Sequence, residues 1–225
     1  MKLLKNFAVA MALMLLVTLA ASAQTYNAVT DFSLASNPNG VWSYGYLATP
    51  GAPLTLFTFS DDQNCVPGIS FWGLYLGPCS LLPVVGHNDT KAIVCWATDC
   101  LPPNYLVTSP GYEGQLGVVR WTAPASGTYG LQGAVMGTDC VYPTSTDLRV
   151  MRNSTQELFR TAVNNCDVPL SFQNQLPFSA GDTLDFVVDW GRTPIHMAMA
   201  QVFSSRSQRS TKVGRASGPF KPGLA

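Results

Sequence analysis

The chain has 225 residues, 47% hydrophobic and 11% aromatic but only 12% charged, with 13 basic against 13 acidic side chains and six cysteines. Such a composition excludes an intrinsically disordered chain, which has too little apolar surface to bury. The charge balance is uneven: residues 206–225 carry five basic residues and no acid, whereas residues 24–203 carry 6 basic and 13 acidic ones, a net of 6 − 13 = −7. An acidic body excludes nucleic acid as the main partner, because phosphate contacts need clustered cations.

Taken in chain order, Lys2 and Lys5 precede an apolar run from Phe7 to Ala20, and Ala21-Ser22-Ala23 offers a small-x-small cleavage site. Residues 1–23 therefore read as a secretory signal peptide, with a mature start at Gln24. The run falls short of the roughly 20 apolar residues that a spanning helix needs. No second run of that length occurs, so no membrane anchor is expected after cleavage. Residues 24–203 read as the folded domain, and 204–225 as a basic, disordered tail.

The domain opens with Tyr26–Ala35, in which Val29 or Phe32 and Leu34 suit a buried face, followed by the turn cluster Ser36-Asn37-Pro38-Asn39-Gly40. Trp42, Tyr44 and Tyr46 then share one side of a strand, and Leu54–Phe59 is another. The section from Asp61 to Pro103 holds four of the six cysteines and many prolines and glycines. It reads as elaborated loops clipped onto a sheet, with short strand candidates at Ile69–Leu76 and Ile93–Ala97. Gly117–Gly137 is the most regular stretch. Val119 and Trp121 fall on one face against Val118 and Arg120, Ala123-Pro124-Ala125-Ser126-Gly127 makes a turn, and Tyr129, Leu131 and Val135 share a face again. This pattern predicts an antiparallel hairpin. Thr146–Met151 alternates Leu148 and Val150 inward with Asp147 and Arg149 outward, and Val168–Phe172 is the next strand candidate. Ala180-Gly181-Asp182-Thr183 launches a strand with Leu184, Phe186, Val188 and Trp190 on one face. Its other face carries Asp185 and Asp189, which are expected to solubilise the sheet. Ile195–Phe203 closes the domain. About a dozen short strands divided by turn signals predict an all-β fold, an antiparallel β-sandwich or jelly roll with a disulfide-rich loop insertion.

No Cys-x-x-Cys pair occurs, so the six cysteines read as disulfide partners in an oxidising compartment, extracellular or periplasmic. Of the fifteen possible pairings, proximity in sequence selects Cys65–Cys79, Cys95–Cys100 and Cys140–Cys166. Each bridge is expected to add about 2–4 kcal/mol.

Four stretches carry a family likeness: D-F-S-x-x-x-N-P-N-G-V-W-S-Y-G at Asp31–Gly45, S-P-G-Y-E-G-Q-L-G-V-V-R-W-T-A-P-A-S-G-T-Y at Ser109–Tyr129, S-T-D-L-R-V at Ser145–Val150 and A-G-D-T-L-D-F-V-V at Ala180–Val188. In this the chain resembles a family of secreted bacterial β-sandwich domains related to carbohydrate-binding modules, of the kind found in proteins with a C-terminal PEP-CTERM sorting signal. The resemblance implies a sandwich fold and does not fix a ligand. The chain departs from the pattern in lacking the Pro-Glu-Pro sorting motif, in its six cysteines, and in Ser109, where the resemblance leads one to expect histidine.

The polar inventory disfavours catalysis, so a non-enzyme is expected. Only two glutamates occur, Glu113 and Glu157. Asp185 and Asp189 are four residues apart on one strand, hence roughly 13 Å between Cα atoms. A glycosidase pair needs about 5–9.5 Å between its carboxyl groups. The two histidines, His87 and His196, come without a nucleophile elbow. No cofactor is expected. Asp139 and Asp147, with Asp61 and Asp62, are weak candidates for a structural calcium, since they lack a dense Asp-x-Asp-x-Asp-Gly run. The remaining device is sugar stacking on exposed aromatic rings. The Trp42–Tyr46 row belongs to the fold motif and reads as core, which leaves Trp72, Tyr75, Tyr105 and Tyr112 as ligand-binding candidates. The function expected is a secreted, non-catalytic binding or structural protein with a polysaccharide or other extracellular glycan as its partner. A purely structural extracellular protein is the alternative, and a hydrolase with its site in residues 61–103 is the more distant one.

Overall fold

The computed structural model describes residues 24–103, 105–142, 145–164, 166 and 168–191, and the backbone of 200–202, 207–210 and 221–222. The strands in chain order are β1 (Thr25–Tyr26), β2 (Trp42–Leu47), β3 (Thr55–Leu56), β4 (Phe59–Asp62), β5 (Ile69–Gly77), β6 (Ser80–Asn88), β7 (Val94–Trp96), β8 (Asp99–Leu101), β9 (Leu106–Ser109), β10 (Leu116–Thr122), β11 (Gly127–Gly137), β12 (Thr146–Arg152), β13 (Gln156–Val163), β14 (Leu170–Phe178), β15 (Thr183–Asp189), β16 (Ala200–Val202), β17 (Ser207–Ser210) and β18 (Lys221–Pro222). No helix occurs among the described residues. The expected signal peptide lies outside them, as does most of the expected tail, of which the backbones of β17 and β18 are described.

Two antiparallel sheets face each other, and the fold is the all-β sandwich that the alternation predicts. One sheet has the order β13-β12-β15-β10-β2-β3. The other runs β4-β5-β6-β9-β16-β11; β11 also pairs with β14 along its length and with β17 near its start. Period-two alternation sends Trp42, Tyr44, Val119, Trp121, Leu148 and Phe186 inward from the six-stranded sheet. Trp72, Val85, Tyr129, Leu131, Phe172 and Phe178 meet them from the other, and together they form one apolar core.

The predicted hairpin at Gly117–Gly137 is not a hairpin. Its two halves are strands of different sheets, β10 pairing with β15 and β2, and β11 pairing with β14. Residues 123–126 form an arch between the sheets. The chain turns without laddering because both halves point their apolar residues into the same core from opposite sides. The Trp121 and Tyr129 rings meet edge to face at 4.9 Å, and both touch Phe178. The arch is held by the Tyr129 hydroxyl donating to the Ala125 carbonyl at 2.7 Å. It is also tied to the Ser179–Asp182 turn, where Ala123 N–H donates to the Asp182 carbonyl and Gly181 N–H to the Ala123 carbonyl.

A second correction concerns the outer face of the six-stranded sheet. Asp185 and Asp189 do not solubilise it. Asp185 is 0% exposed; Arg120 donates to it from Nε at 2.5 Å and from Nη2 at 2.8 Å, and Ser154 adds a hydroxyl at 2.9 Å. Asp189 pairs with Arg149, Asp147 with Arg160, and Asp182 with Arg152. Arg120 and Asp185 are directly opposed across β10 and β15, so the register itself makes the pair.

The cysteine-rich section is more regular than expected. It supplies β5 and β6, nine residues each, whose internal glycines and Pro83 break the alternation that marks a strand. Ile69, Phe71, Leu82, Val84 and Val107 point away from the main core and build a second apolar cluster on the outer face of the larger sheet, roofed by Leu101 and Val94 of the β7–β8 hairpin. The disulfides are Cys65–Cys79, Cys95–Cys100 and Cys140–Cys166, with Cα separations of 5.1, 4.0 and 5.0 Å, the pairings that proximity selects.

Candidate ligand-binding site

The four aromatics expected to bind ligand are dispersed. Tyr75 and Tyr112 are exposed, at 51% and 57%. Tyr75 sits at the tip of the β5–β6 hairpin, where the Cys65–Cys79 bridge clips the turn and the Phe59 ring packs against it in a tilted arrangement at 4.8 Å. Tyr112 rides on the loop between β9 and β10. Gly111 N–H donates to the Gln115 carbonyl, Gly114 N–H to the Gly111 carbonyl, and the Trp190 indole to the Gly111 carbonyl at 2.7 Å. Register brings the two to one end of the sandwich. Ser109 lies opposite Val84 and Tyr75 opposite Leu81, so β9 ends toward the tip of the β5–β6 hairpin.

Trp72 does not belong there. It faces the main core at 6% exposure, and its indole N–H donates to the Ser33 carbonyl at 2.9 Å. Strand alternation, hidden in the sequence by neighbouring glycines, sends it inward with Ser70 while Phe71 goes outward. Tyr105 precedes β9 at the opposite end and is half-buried against the second apolar cluster. Trp42 and Tyr44 are core residues, as their place in the fold motif indicates. The Tyr44 hydroxyl has no hydrogen-bond partner among the described residues, and burial, with Asp31 nearby, raises its pKa above the ordinary tyrosine value.

Sequence reasoning missed Trp96. Cys95 and Cys100 are directly opposed in the β7–β8 hairpin, so Trp96 and Asp99 form the next opposed pair, with Val94 and Leu101 beyond the bridge. The members of these two flanking pairs leave the hairpin on one face. That face looks onto Ile69, Phe71 and Val107, leaving only a narrow crevice of about 10 Å³ between hairpin and sheet, the room of a single water, with Thr138 at its margin. Gly86 lies between Phe71 and Val107 in the ladder, and a Cβ there would come within 2.5 Å of the Phe71 ring. The missing side chain lets the floor close. Trp96 is 37% exposed and meets Phe71 edge-on at 6.0 Å. Two cysteines five residues apart around a short turn were the available signal, because a bridge that short implies opposed strand partners.

Asp99 gives the cleft its one carboxyl group. Burial raises its pKa to about 6; the Thr138 hydroxyl, donating at 2.6 Å, opposes the shift, and the neighbouring Asp139 adds to it. The folded-state value therefore lies above the unfolded value of 3.8. A carboxyl shifted this way contributes stability that is fully present below about pH 4 and is lost as pH rises through about 6. Asp182 works in the opposite sense: hydrogen bonds from Ser179 N–H, Arg152 and Asn153 lower it to about 2, so its contribution is lost only in acid. Urea midpoints measured from pH 4 to 7 should therefore fall less in Asp99→Asn than in wild type. Equal slopes would contradict the assignment.

The calcium candidates are occupied by protein donors. Asp139 accepts from Thr98 Oγ1 and from the N–H groups of Val141 and Tyr142, and Asp147 accepts from Arg160. Asp61 accepts from Cys65 N–H. Among the described residues no group of three or more His, Cys, Asp or Glu has metal-holding geometry. In the cysteine-rich section His87 bonds Asp89 at 2.6 Å, and the Ser70 hydroxyl donates to the same carboxylate. A hydrolytic serine needs the histidine as its own hydrogen-bond partner, and here the aspartate stands between them. His196 lies outside the described residues.

No family model matches the chain, and no curated protein matches it in sequence. Solved structures with a partial likeness include the N-terminal cellulose-binding domain of Cellulomonas fimi β-1,4-glucanase C, at 12% identity and TM-score 0.33, covering 49% of this chain and 81% of that one. A CBM4 structure aligns at 12% identity and TM-score 0.34, covering 68% of this chain and 96% of that one. The C-terminal CBM6 of LamC from Zobellia galactanivorans aligns at 10% identity and TM-score 0.29, covering 68% and 93%. A likeness at these scores carries no argument about this chain's ligand.

Proposed function

We propose that this protein is an exported, non-catalytic glycan-binding β-sandwich, holding a polysaccharide on aromatic side chains presented from cross-linked or tightly hydrogen-bonded turns. The observation that carries the reading is the exposure of Tyr75 and Tyr112 at one end of a sandwich whose other large aromatics are mostly packed. An apolar ring left in water on a rigid support is costly unless something covers it, and the C–H face of a sugar is a matched cover. The three disulfides suit an oxidising compartment, extracellular or periplasmic, where such polymers are met.

The test is retention of the oxidised protein on a panel of insoluble polysaccharides. Tyr112→Ala and Tyr75→Ala should each weaken retention about tenfold, with the variants' folding checked by near-ultraviolet circular dichroism. No retention of wild type on any member of the panel would reject the reading in favour of a purely structural role.

A further inference from the structure

One edge of β11 is taken by β14, and the other by the far end of the chain. Residues 128–130 face 210–208 of β17, and residues 135–137 face 202–200 of β16. The two pieces therefore lie in line along β11, out of step by a single residue. We propose that β16 and β17 act together as an exchangeable closing strand, and that the slot they fill accepts the same strand from a second copy of this chain. The product is a strand-exchanged dimer, and it is independent of the glycan reading.

The slot is two-sided. β16 pairs with β9 as well as β11, and β17 with β1 as well as β11. Among the described residues β9 and β11 share no ladder, so β16 is what joins the β4-β5-β6-β9 half of the larger sheet to the β11-β14 half. Leu106, Thr108 and Val135, which line the slot, are fully buried. Emptied, the slot would expose two rows of unpaired backbone groups over the core, a template for an added strand.

The occupant can leave without breaking a covalent bond. The last cysteine is Cys166, bridged to Cys140, so no disulfide ties residues 167–225 to the domain. The tether also has slack. Val188 faces Gly117, a Cβ on Gly117 would lie 2.5 Å from Thr108 Oγ1, and Thr108 faces Ala200. These steps put Val188 within roughly 17 Å of Ala200, whereas residues 189–199 can reach about 36 Å when extended. A second copy offers the identical strand, so the partner needs no complementarity that the fold does not already contain. In a single chain the tether holds the strand at about millimolar effective concentration, so closure within one chain wins in dilute solution. Exchange takes over at high protein concentration, or when the tether is too short to close.

The test traps the pairing covalently in the full chain. Met136 and Gln201 are directly opposed across β11 and β16, so Met136→Cys/Gln201→Cys should form a disulfide there. Closure within one chain then gives a linked monomer and exchange gives a linked dimer, which a non-reducing denaturing gel separates. The chain is unfolded in urea at acid pH, where thiols do not attack the native bridges, then refolded and oxidised. Linked monomer should dominate at about micromolar concentration, with linked dimer rising at least tenfold at about millimolar. Deleting residues 192–199 leaves Trp190 and Gly191 to cross from β15 to β16, fewer than residues 123–126 use for the other arch. This shortened chain, carrying the same pair, should give linked dimer at micromolar concentration too. A folded, linked monomer from the shortened chain, or a dimer whose chains separate on the gel, would overturn the proposal. Linked dimer from either single cysteine substitution would show chance encounter and overturn it equally. If shortening prevents folding, the concentration series decides, and linked monomer alone at both concentrations overturns it.

Discussion

Arg120→Met is expected to destabilise the protein by about 3–5 kcal/mol, a large part of the roughly 5–15 kcal/mol that holds an ordinary domain folded. The reason is the carboxylate left behind. Asp185 has no exposure and lies in the middle of the six-stranded sheet, with Arg120 holding both of its oxygens. Without the guanidinium it keeps only the Ser154 hydroxyl. The double variant Arg120→Met/Asp185→Leu removes both charges and should recover most of the loss, because a buried pair adds little net stability over apolar residues of similar size. Urea denaturation of the wild type and the two variants at pH 7 measures this. A loss below about 1 kcal/mol in the single variant would mean that water reaches Asp185.

Trp121→Ala should cost about as much, 3–5 kcal/mol, for a different reason. The indole is 2% exposed and packs against Tyr26, Tyr129 and Phe178, joining the two sheets beside the arch. Its removal opens a cavity that the surrounding rings cannot collapse to fill. Trp121→Phe should cost much less, about 1.5 kcal/mol or below, because it keeps most of the volume and removes an indole N–H that has no partner among the described residues. A comparison of urea midpoints decides it: equal losses in the two variants would show that the N–H is satisfied and that volume is not the controlling quantity.

How much of this was legible in the sequence can be judged from these same residues. Alternation identifies both halves of Gly117–Gly137 as strands and places Trp121, Tyr129 and Leu131 in the core. It cannot say that the halves belong to different sheets, because period two fixes which face is buried and leaves the hydrogen-bonding partner open. The same alternation puts Asp185 correctly on the face opposite Phe186. Its burial follows from Arg120 lying across the ladder, a register that no local pattern encodes. Proximity suffices for the disulfides, whose loops are short. The candidate site is legible only in part. Tyr75 and Tyr112 are exposed as expected, Trp72 reads as an exposed platform because glycines hide which face of its strand is buried, and Trp96 is hidden inside a cysteine-flanked turn.

The central claim is that the exposed aromatics are there to hold a glycan. The most direct measurement is binding of the oxidised protein to a broad glycan array, read beside Tyr112→Ala and Tyr75→Ala variants whose folding is verified by near-ultraviolet circular dichroism. The account predicts selective wild-type signal on a related set of glycans, reduced by either substitution. An array blank for wild type, or signal that neither variant diminishes, would contradict it.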